Sequence, residues 1–311
     1  MSSLKIVFMG TPETALPSLR ALLESDHRVV GVVSQPDRPA GRGRQLTPPP
    51  VAALGREKKI PLFQPESIKN NPDFLKTLKE LSPDLIVIVA YGRILPKEIL
   101  DLPRQKCINV HFSLLPKYRG AAPIQWALMN GESETGVTTF YLAEKLDAGP
   151  VLMKKKTIIE PEDNTEILGN RLAVIGAQLL IETIEAIKGG SIDPIVQNER
   201  EVTLAPPLKK EDGIIDWGRK AKSLANQIRG VTPWPGATTH LKGKIFKIYS
   251  AEPLSKKGVP GEVVQTGPEG FEVACGQGSL LLKEVQLEGG KRMGAADFLK
   301  GHPIEIGEKL G

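Results

Sequence analysis

Asp84-Leu-Ile-Val-Ile-Val-Ala90 is an almost unbroken apolar run. A strand with one face in water alternates apolar and polar residues. A run that is apolar at every position is covered on both faces, as the central strands of parallel sheets are. Outward from it, shorter runs of this kind recur at residues 4–9, 29–33, 107–111 and 136–142. Segments of helical spacing separate them. Leu16, Leu19, Leu22 and Leu23 share one side of a helix after Gly10-Thr11-Pro12, and residues 78–81 end another. A longer helix begins near Asn164 or Thr165, sets Leu168, Leu172, Ile175 and Leu179 on one face, and is stopped by Gly189-Gly190. This alternation predicts an α/β domain over residues 1–190, a Rossmann-like open, mostly parallel sheet with helices on both faces. Ligands of such folds bind beyond the carboxyl ends of the strands.

The texture changes near residue 190. Residues 191–207 read as a linker, with Ala205-Pro206-Pro207 as a stiff break. Beyond it come a short helical stretch at 221–229 and five strand-like runs, at 238–241, 245–250, 261–265, 271–275 and 280–286. Short strands punctuated by glycine and proline predict a small barrel or sandwich, and a small OB-like β-barrel is expected over 208–311. A chain of 311 residues is in any case longer than one core usually serves.

No run reaches the roughly 20 apolar residues of a membrane span. Residues 1–9 pass straight into a strand without a small-residue cleavage site, so neither a signal peptide nor a membrane partner is expected. Cys107 and Cys275 are too few for a disulfide framework and have no metal-ligand spacing. A cytoplasmic, monomeric enzyme without a metal is the default. The formal net charge is +5, and 16 of the 41 Lys and Arg lie after residue 207 against 12 of the 36 Asp and Glu. That is a lean toward an anionic partner, although a solvated lysine-rich face would give the same count.

Several chemistries are disfavoured by what is missing. Gly10-Thr11-Pro12 does not continue as Gly-x-Gly-x-x-Gly, there is no phosphate-binding Gly-x-x-x-x-Gly-Lys-Ser/Thr, and there is no Gly-x-Ser-x-Gly. The four histidines, at 27, 111, 240 and 302, lack metal spacing. His111 differs from the others because it ends a strand-like run, Cys107-Ile-Asn-Val-His111. Alternation puts Asn109 and His111 on one face at the carboxyl end. The segment that follows, Phe112–Gly120, is rich in turn formers and is read as a loop. Asp147 lies in Lys145-Leu-Asp-Ala-Gly149, another loop after a strand. An amide donor, a proton-bearing imidazole and a carboxylate to hold its charge can manage a tetrahedral intermediate. A strand-end histidine can equally be structural, and Asp-x-Gly is a common turn, so spacing alone leaves both readings open.

Residues 34–50 form a third feature. They lack apolar periodicity and carry Arg38, Arg42 and Arg44 against Asp37 alone. Gly41 and Gly43 would let such a loop flex, and the arginines offer planar donors suited to phosphate.

The segments His111-Phe-Ser-Leu-Leu-Pro-Lys-Tyr-Arg-Gly-Ala-Ala-Pro-Ile-Gln125 and Gly136-Val-Thr-Thr-Phe-Tyr-Leu-Ala-Glu-Lys-Leu-Asp-Ala-Gly149 resemble the two hallmark stretches of the folate-dependent formyltransferases. The resemblance runs almost end to end. Phe8-Met-Gly-Thr-Pro12, Gln35-Pro-Asp-Arg-Pro-Ala-Gly-Arg-Gly43, Lys210-Glu-Asp-Gly-Ile-Ile-Asp-Trp217 and Pro233-Trp-Pro-Gly236 resemble the branch that formylates initiator methionyl-tRNA. Phe140 and Leu142 stand where methionines would be expected and keep the apolar character. The resemblance implies 10-formyltetrahydrofolate as formyl donor and the α-amino group of methionine on initiator tRNA as acceptor. It implies a reaction centre of Asn109, His111 and Asp147. It further implies a folate-contacting turn at Ser113, Leu114, Leu115 and Pro116, and a pterin pocket lined by Ile88, Val89, Ala90 and Tyr91. For tRNA it points to Arg42 first, with Arg38, Arg44 and Lys210, and to the C-terminal barrel. Trp217 and Trp234 are read as core or domain-interface residues, and Lys154–Lys156 as a solvated strand edge.

Overall fold

The computed structural model describes residues 3–40 and 45–311. The chain divides into two compact units. One comprises residues 1–123, 134–157 and 169–206, and the other residues 124–133, 158–168 and 207–311.

The strands of the first unit are β1 (Lys5–Gly10), β2 (Arg28–Val33), β3 (Arg38–Ala40), β4 (Gln45–Thr47), β5 (Leu62–Phe63), β6 (Leu85–Val89), β7 (Cys107–His111), β8 (Glu134–Tyr141) and β9 (Val151–Ile158). Helices α1 (Leu16–Glu24), α2 (Pro50–Glu57), α3 (Pro72–Leu81) and α4 (Lys97–Leu100) connect them; α5 (Pro123–Met129) and α6 (Thr165–Gly189) follow in the chain. Seven strands make one sheet in the order β5-β2-β1-β6-β7-β8-β9. From β5 to β7 every neighbouring pair is parallel, and β8 runs antiparallel to β7. The sheet is therefore mostly parallel, as the apolar run at 84–90 requires. All five residues of β6 are buried, with β1 on one side and β7 on the other. Val7, Met9, Val33, Phe74, Leu78, Ile86 and Ile88 form part of one core cluster beside it.

Three features depart from expectation. The described part of 34–50 is not structureless: β3 and β4 pair as an antiparallel ladder, Arg38 opposite Thr47 and Ala40 opposite Gln45. Arg42 and Arg44 lie outside the described residues. The seven-stranded sheet also holds two strands beyond those expected, β5, which is two residues long, and β9, whose apolar character Lys154-Lys155-Lys156 interrupts. Helix α6 is also long and apolar enough to cross a membrane by length and composition, but just over half of its most apolar stretch is buried within the protein, as a core helix would be.

In the second unit, α7 (Ala221–Val231) precedes β10 (Ala237–Leu241), β11 (Lys244–Leu254), β12 (Val263–Gly267), β13 (Gly270–Ala274), β14 (Ser279–Leu287) and β15 (Met293–Gly294), and α8 (Ala295–Gly301) follows. The strands form an antiparallel sheet ordered β10-β11-β14-β13-β12, with β15 also on β14. Phe246, Phe271 and Phe298 cluster at its centre, with ring centroids 5.4–6.1 Å from Phe246. β10 and β12 are the two ends of this path, and the last residues of the chain bond to both. Val263 N–H donates to Glu308 O, Leu310 N–H to Gly261 O, and Gly311 N–H to His240 O. A segment paired with both edges closes a sheet into a barrel and removes its open edges. The closure comes from 307–311, a segment with no strand-like apolar run of its own. Trp217 is buried and donates its indole N–H to Thr239 Oγ1. Trp234, by contrast, is 56% exposed and is not a core residue.

Candidate active site

The parallel strands β1, β6 and β7 end at one edge of the sheet. Register carries Gly10 opposite Val89 and Ile88 opposite Asn109, so the residues just after β6 stand level with the end of β7. The chain leaves β1 toward β2 on one side and reaches β6 on the other. This is the topological switch point where open α/β sheets bind ligands.

Asn109 and His111 lie two residues apart on β7, hence on one face. Asn109 is half-buried, and its side-chain amide has no hydrogen-bond partner among the described residues. His111 is buried, edge-on to the Phe140 ring at 6.3 Å. Its Nε2 lies 2.9 Å from the backbone carbonyl of Tyr118. A carbonyl can only accept, so Nε2 carries a proton, and Nδ1 is the nitrogen free to gain or lose one. Nδ1 faces Asp147 Oδ2 at 3.7 Å, longer than a hydrogen bond but within ion-pair range.

Asp147 is buried and adopts φ +48°. Left-handed backbone is uncommon outside glycine but is tolerated best by Asn and Asp. Surrounding bonds hold it there. Gly120 N–H donates to Oδ2 at 2.9 Å. Gln197 Nε2 donates to the carbonyls of Asp147 and Gly149, at 2.8 and 2.7 Å. Gly149 has no room for a side chain, since a Cβ would fall 1.7 Å from the Tyr141 carbonyl oxygen.

The 113–116 turn leaves β7 directly. Thr138 of β8 braces it, donating its hydroxyl to Ser113 O at 2.7 Å and accepting from Leu115 N–H at 3.1 Å. Ser113 Oγ donates to Lys117 O, and Lys154 Nζ donates to Leu115 O. Ser113, Leu115 and Pro116 are buried, Leu115 against Phe140 and Val151, and Leu114 is half-buried. Lys154 is itself exposed, as a strand-edge lysine was expected to be, but its ammonium reaches this turn. Burial lowers its pKa, against the opposing pull of the Glu201 carboxylate. Lys155 is exposed and Lys156 pairs with Glu134.

At the end of β6, Ile88 and Val89 are buried, while Ala90, the residue that follows the strand, is exposed at φ +47°. Tyr91 packs in the core cluster, and its carbonyl accepts from Thr11 Oγ1 and Gln35 Nε2. Its buried hydroxyl has no partner among the described residues, and burial pushes its pKa up to about 12. Arg38 is exposed and 3.4 Å from Glu66. Lys210 is exposed in a 3-10 turn of the second unit. The structure thus brings His111, Asp147 and the 113–120 segment together within the first unit, with Asn109 beside His111 on β7.

Comparison with known proteins defines the class. The sequence matches the formyl transferase family model over residues 4–184 and the formyl transferase C-terminal domain model over 207–303. A methionyl-tRNA formyltransferase of Citrifermentans bemidjiense is 49% identical over 311 residues, spanning 100% of this chain and 98% of that protein. One of Pelotomaculum thermopropionicum is also 49% identical, spanning 99% of each. Among solved structures, an N-formyltransferase of Helicobacter canadensis, in complex with folinic acid and dTDP-3-aminofucose, superposes with a TM-score of 0.67 at 17% identity. It covers 93% of this chain and 100% of that one. HypX of Aquifex aeolicus, in complex with tetrahydrofolic acid, gives 0.66 at 21%, over 100% of this chain and 51% of that one. At those identities the two structures speak for the fold alone. The chain belongs to the formyl transferase family, in its methionyl-tRNA formyltransferase branch.

Proposed function

We propose that this chain transfers the formyl group of 10-formyltetrahydrofolate to the α-amino group of methionine on initiator methionyl-tRNA, at a centre formed by Asn109, His111 and Asp147, and that it does so in the cytoplasm. The observation that carries the reading is the uncommitted Asn109 amide beside a buried histidine whose one free nitrogen faces a buried carboxylate. Relatives alike end to end support the acceptor.

The chemistry follows from the groups. The neutral amine attacks the formyl carbon, a C–N bond forms, and the formyl oxygen becomes an oxyanion. The Asn109 amide and His111, protonated at Nδ1, donate to that oxygen; one such donor is worth about 2.7–4 kcal/mol of barrier. The attacking nitrogen must shed a proton and the departing folate nitrogen must gain one as its bond to the formyl carbon breaks. Asp147, ionised and facing Nδ1, accepts the first and passes it on. Burial of His111 and Asp147 strengthens each of these interactions relative to water.

The folate would lie along the carboxyl edge, against the 113–116 turn and the residues after β6. The turn's polar groups largely bond to Thr138, Lys117 and Lys154, so it offers a rigid shaped surface, with Leu114 and exposed Ala90 nearest to solvent. For tRNA, Arg38, Arg42 and Arg44 would meet phosphates of the acceptor end, with Lys210 and the barrel holding the body of the molecule.

The acceptor is tested by offering 10-formyltetrahydrofolate with methionyl initiator tRNA or, separately, with a nucleotide-linked sugar amine. Formyl-methionine released from the tRNA is the expected product. Turnover with the sugar amine and none with tRNA would overturn the acceptor.

A further inference from the structure

Arg119 is 3% exposed, a guanidinium almost wholly removed from water, and its side-chain hydrogen bonds run to Gln197 and Glu199 rather than directly to His111 or Asp147. Its bonds lead to Asp147 by another route. Nε and Nη2 both donate to Gln197 Oε1, at 3.0 and 2.9 Å. The Gln197 amide is thereby oriented, because arginine has no acceptor and only the oxygen can face it. The two hydrogens of Gln197 Nε2 then point at the carbonyls of Asp147 and Gly149, which bracket Ala148, at 2.8 and 2.7 Å. Arg119 is fixed in turn by its own backbone: its N–H donates to Thr203 O at 2.9 Å, and its carbonyl accepts from Ala205 N–H at 2.7 Å. The next residue, Gly120, donates to the Asp147 carboxylate itself.

We infer that Arg119 and Gln197 are positioning residues for the reaction: through the oriented Gln197 amide they hold the Asp147–Gly149 turn so that the Asp147 carboxylate faces His111. The inference rests on the assignment of Asp147 to the reaction centre. Asp147 sits in backbone that few side chains adopt, with its carboxylate 3.7 Å from Nδ1. A turn of that kind keeps its geometry only where the surroundings over-determine it. A displacement of about 1 Å at a reacting group costs on the order of 10²-fold in rate. Glu199 and Lys145 complete the chain on the solvent side. Nη2 of Arg119 and Nζ of Lys145 donate to the two Glu199 oxygens, at 2.8 and 2.6 Å, and hold that carboxyl at about 2.

The test uses the full chain with Gln197→Ala, Gln197→Glu, Arg119→Lys, Asp147→Asn and the double variant Gln197→Ala with Asp147→Asn. Formylation is followed across pH, and rates are referred to the folded fraction. Gln197→Glu replaces both N–H groups by acceptors facing two carbonyls, and is expected to be at least as severe as Gln197→Ala. Gln197→Ala should lower kcat about 10- to 100-fold with little change in either KM, and should shift the pH dependence of kcat. Arg119→Lys keeps the charge but cannot make the paired bonds to Oε1, and should give a milder loss of the same kind. In the Asp147→Asn background, Gln197→Ala should add little, because both changes act through one carboxylate. Wild-type kcat and pH profile in folded Gln197→Ala, or full additivity in the double variant, would overturn the positioning role. Near-normal turnover of Asp147→Asn would instead remove the assignment on which it rests, so the two failures are distinguishable.

Discussion

Gly120 donates its backbone N–H to the same Asp147 oxygen, Oδ2, that faces His111 Nδ1. One carboxylate oxygen is held by a fixed dipole on one side and turned toward the imidazole on the other. The loop that leaves β7 after His111 therefore curls back to bond the carboxylate that faces this histidine.

Gly120 has φ +130°, and an added Cβ would fall 2.4 Å from the Ala205 carbonyl oxygen, a backbone atom that cannot step aside. Gly120→Ala should cost about 1–3 kcal/mol in backbone strain, with the clash in addition. It should also lower the turnover of the protein that remains folded, by displacing the N–H from Asp147. Chemical denaturation and kcat on the same sample check both halves.

The Glu199 carboxyl is held down at about 2 by hydrogen bonds from Arg119 and Lys145, against an ordinary value of 4.5. A depressed carboxylate contributes stability that is fully present above 4.5 and lost as pH falls toward about 2. Glu199→Gln should therefore lower Tm at neutral pH, with the two proteins' melting points converging as pH drops through that window. Parallel Tm–pH curves would show that the carboxylate does nothing for the fold.

Leu310 is 3% exposed in the segment that joins the two ends of the barrel sheet. Leu310→Ala should destabilise by about 2–5 kcal/mol, the usual range for a buried leucine truncated to alanine. Hydrogen exchange should rise at Val263 and Gly311, whose N–H groups bond across the closure.

Arg38 is exposed beside the undescribed 41–44 segment. If it meets a phosphate, Arg38→Ala should weaken tRNA binding at every sequence and reduce the slope of log K against log salt by about 1. A weakened affinity with an unchanged slope would point away from a phosphate contact.

How much of this was legible in sequence depended on how local the signal was. The apolar run at 84–90 fixed a central parallel strand, and β7 was read with its observed bounds, because both elements announce themselves within five to seven residues. The antiparallel strands of the second unit were similarly visible. Barrel closure was not: residues 307–311 pair with partners some 45 to 70 positions away and carry only Leu310 as an apolar anchor. The β3–β4 ladder hid in a stretch of prolines and arginines, and β9 behind three lysines. In the site, Asn109 and His111 were visible by alternation, and their surrounding segments brought Asp147 to them. Arg119 and Gln197 carry no such local signal, although Arg119 lies within the 111–125 segment. Their bond spans 78 residues, and Gln197 sat in what read as a plain connector. Nothing periodic marks a polar contact of that reach.

The role of the Asp147 carboxylate is tested most directly by the single-turnover rate of methionyl-tRNA formylation by Asp147→Asn, at saturating donor and acceptor. Asparagine tolerates the left-handed backbone at 147 and can still accept from Gly120 N–H, so the substitution removes the charge while leaving the turn intact. The rate is expected to fall about 10²-fold or more, with Tm within a few degrees of wild type. A folded variant formylating at close to the wild-type rate would contradict that role.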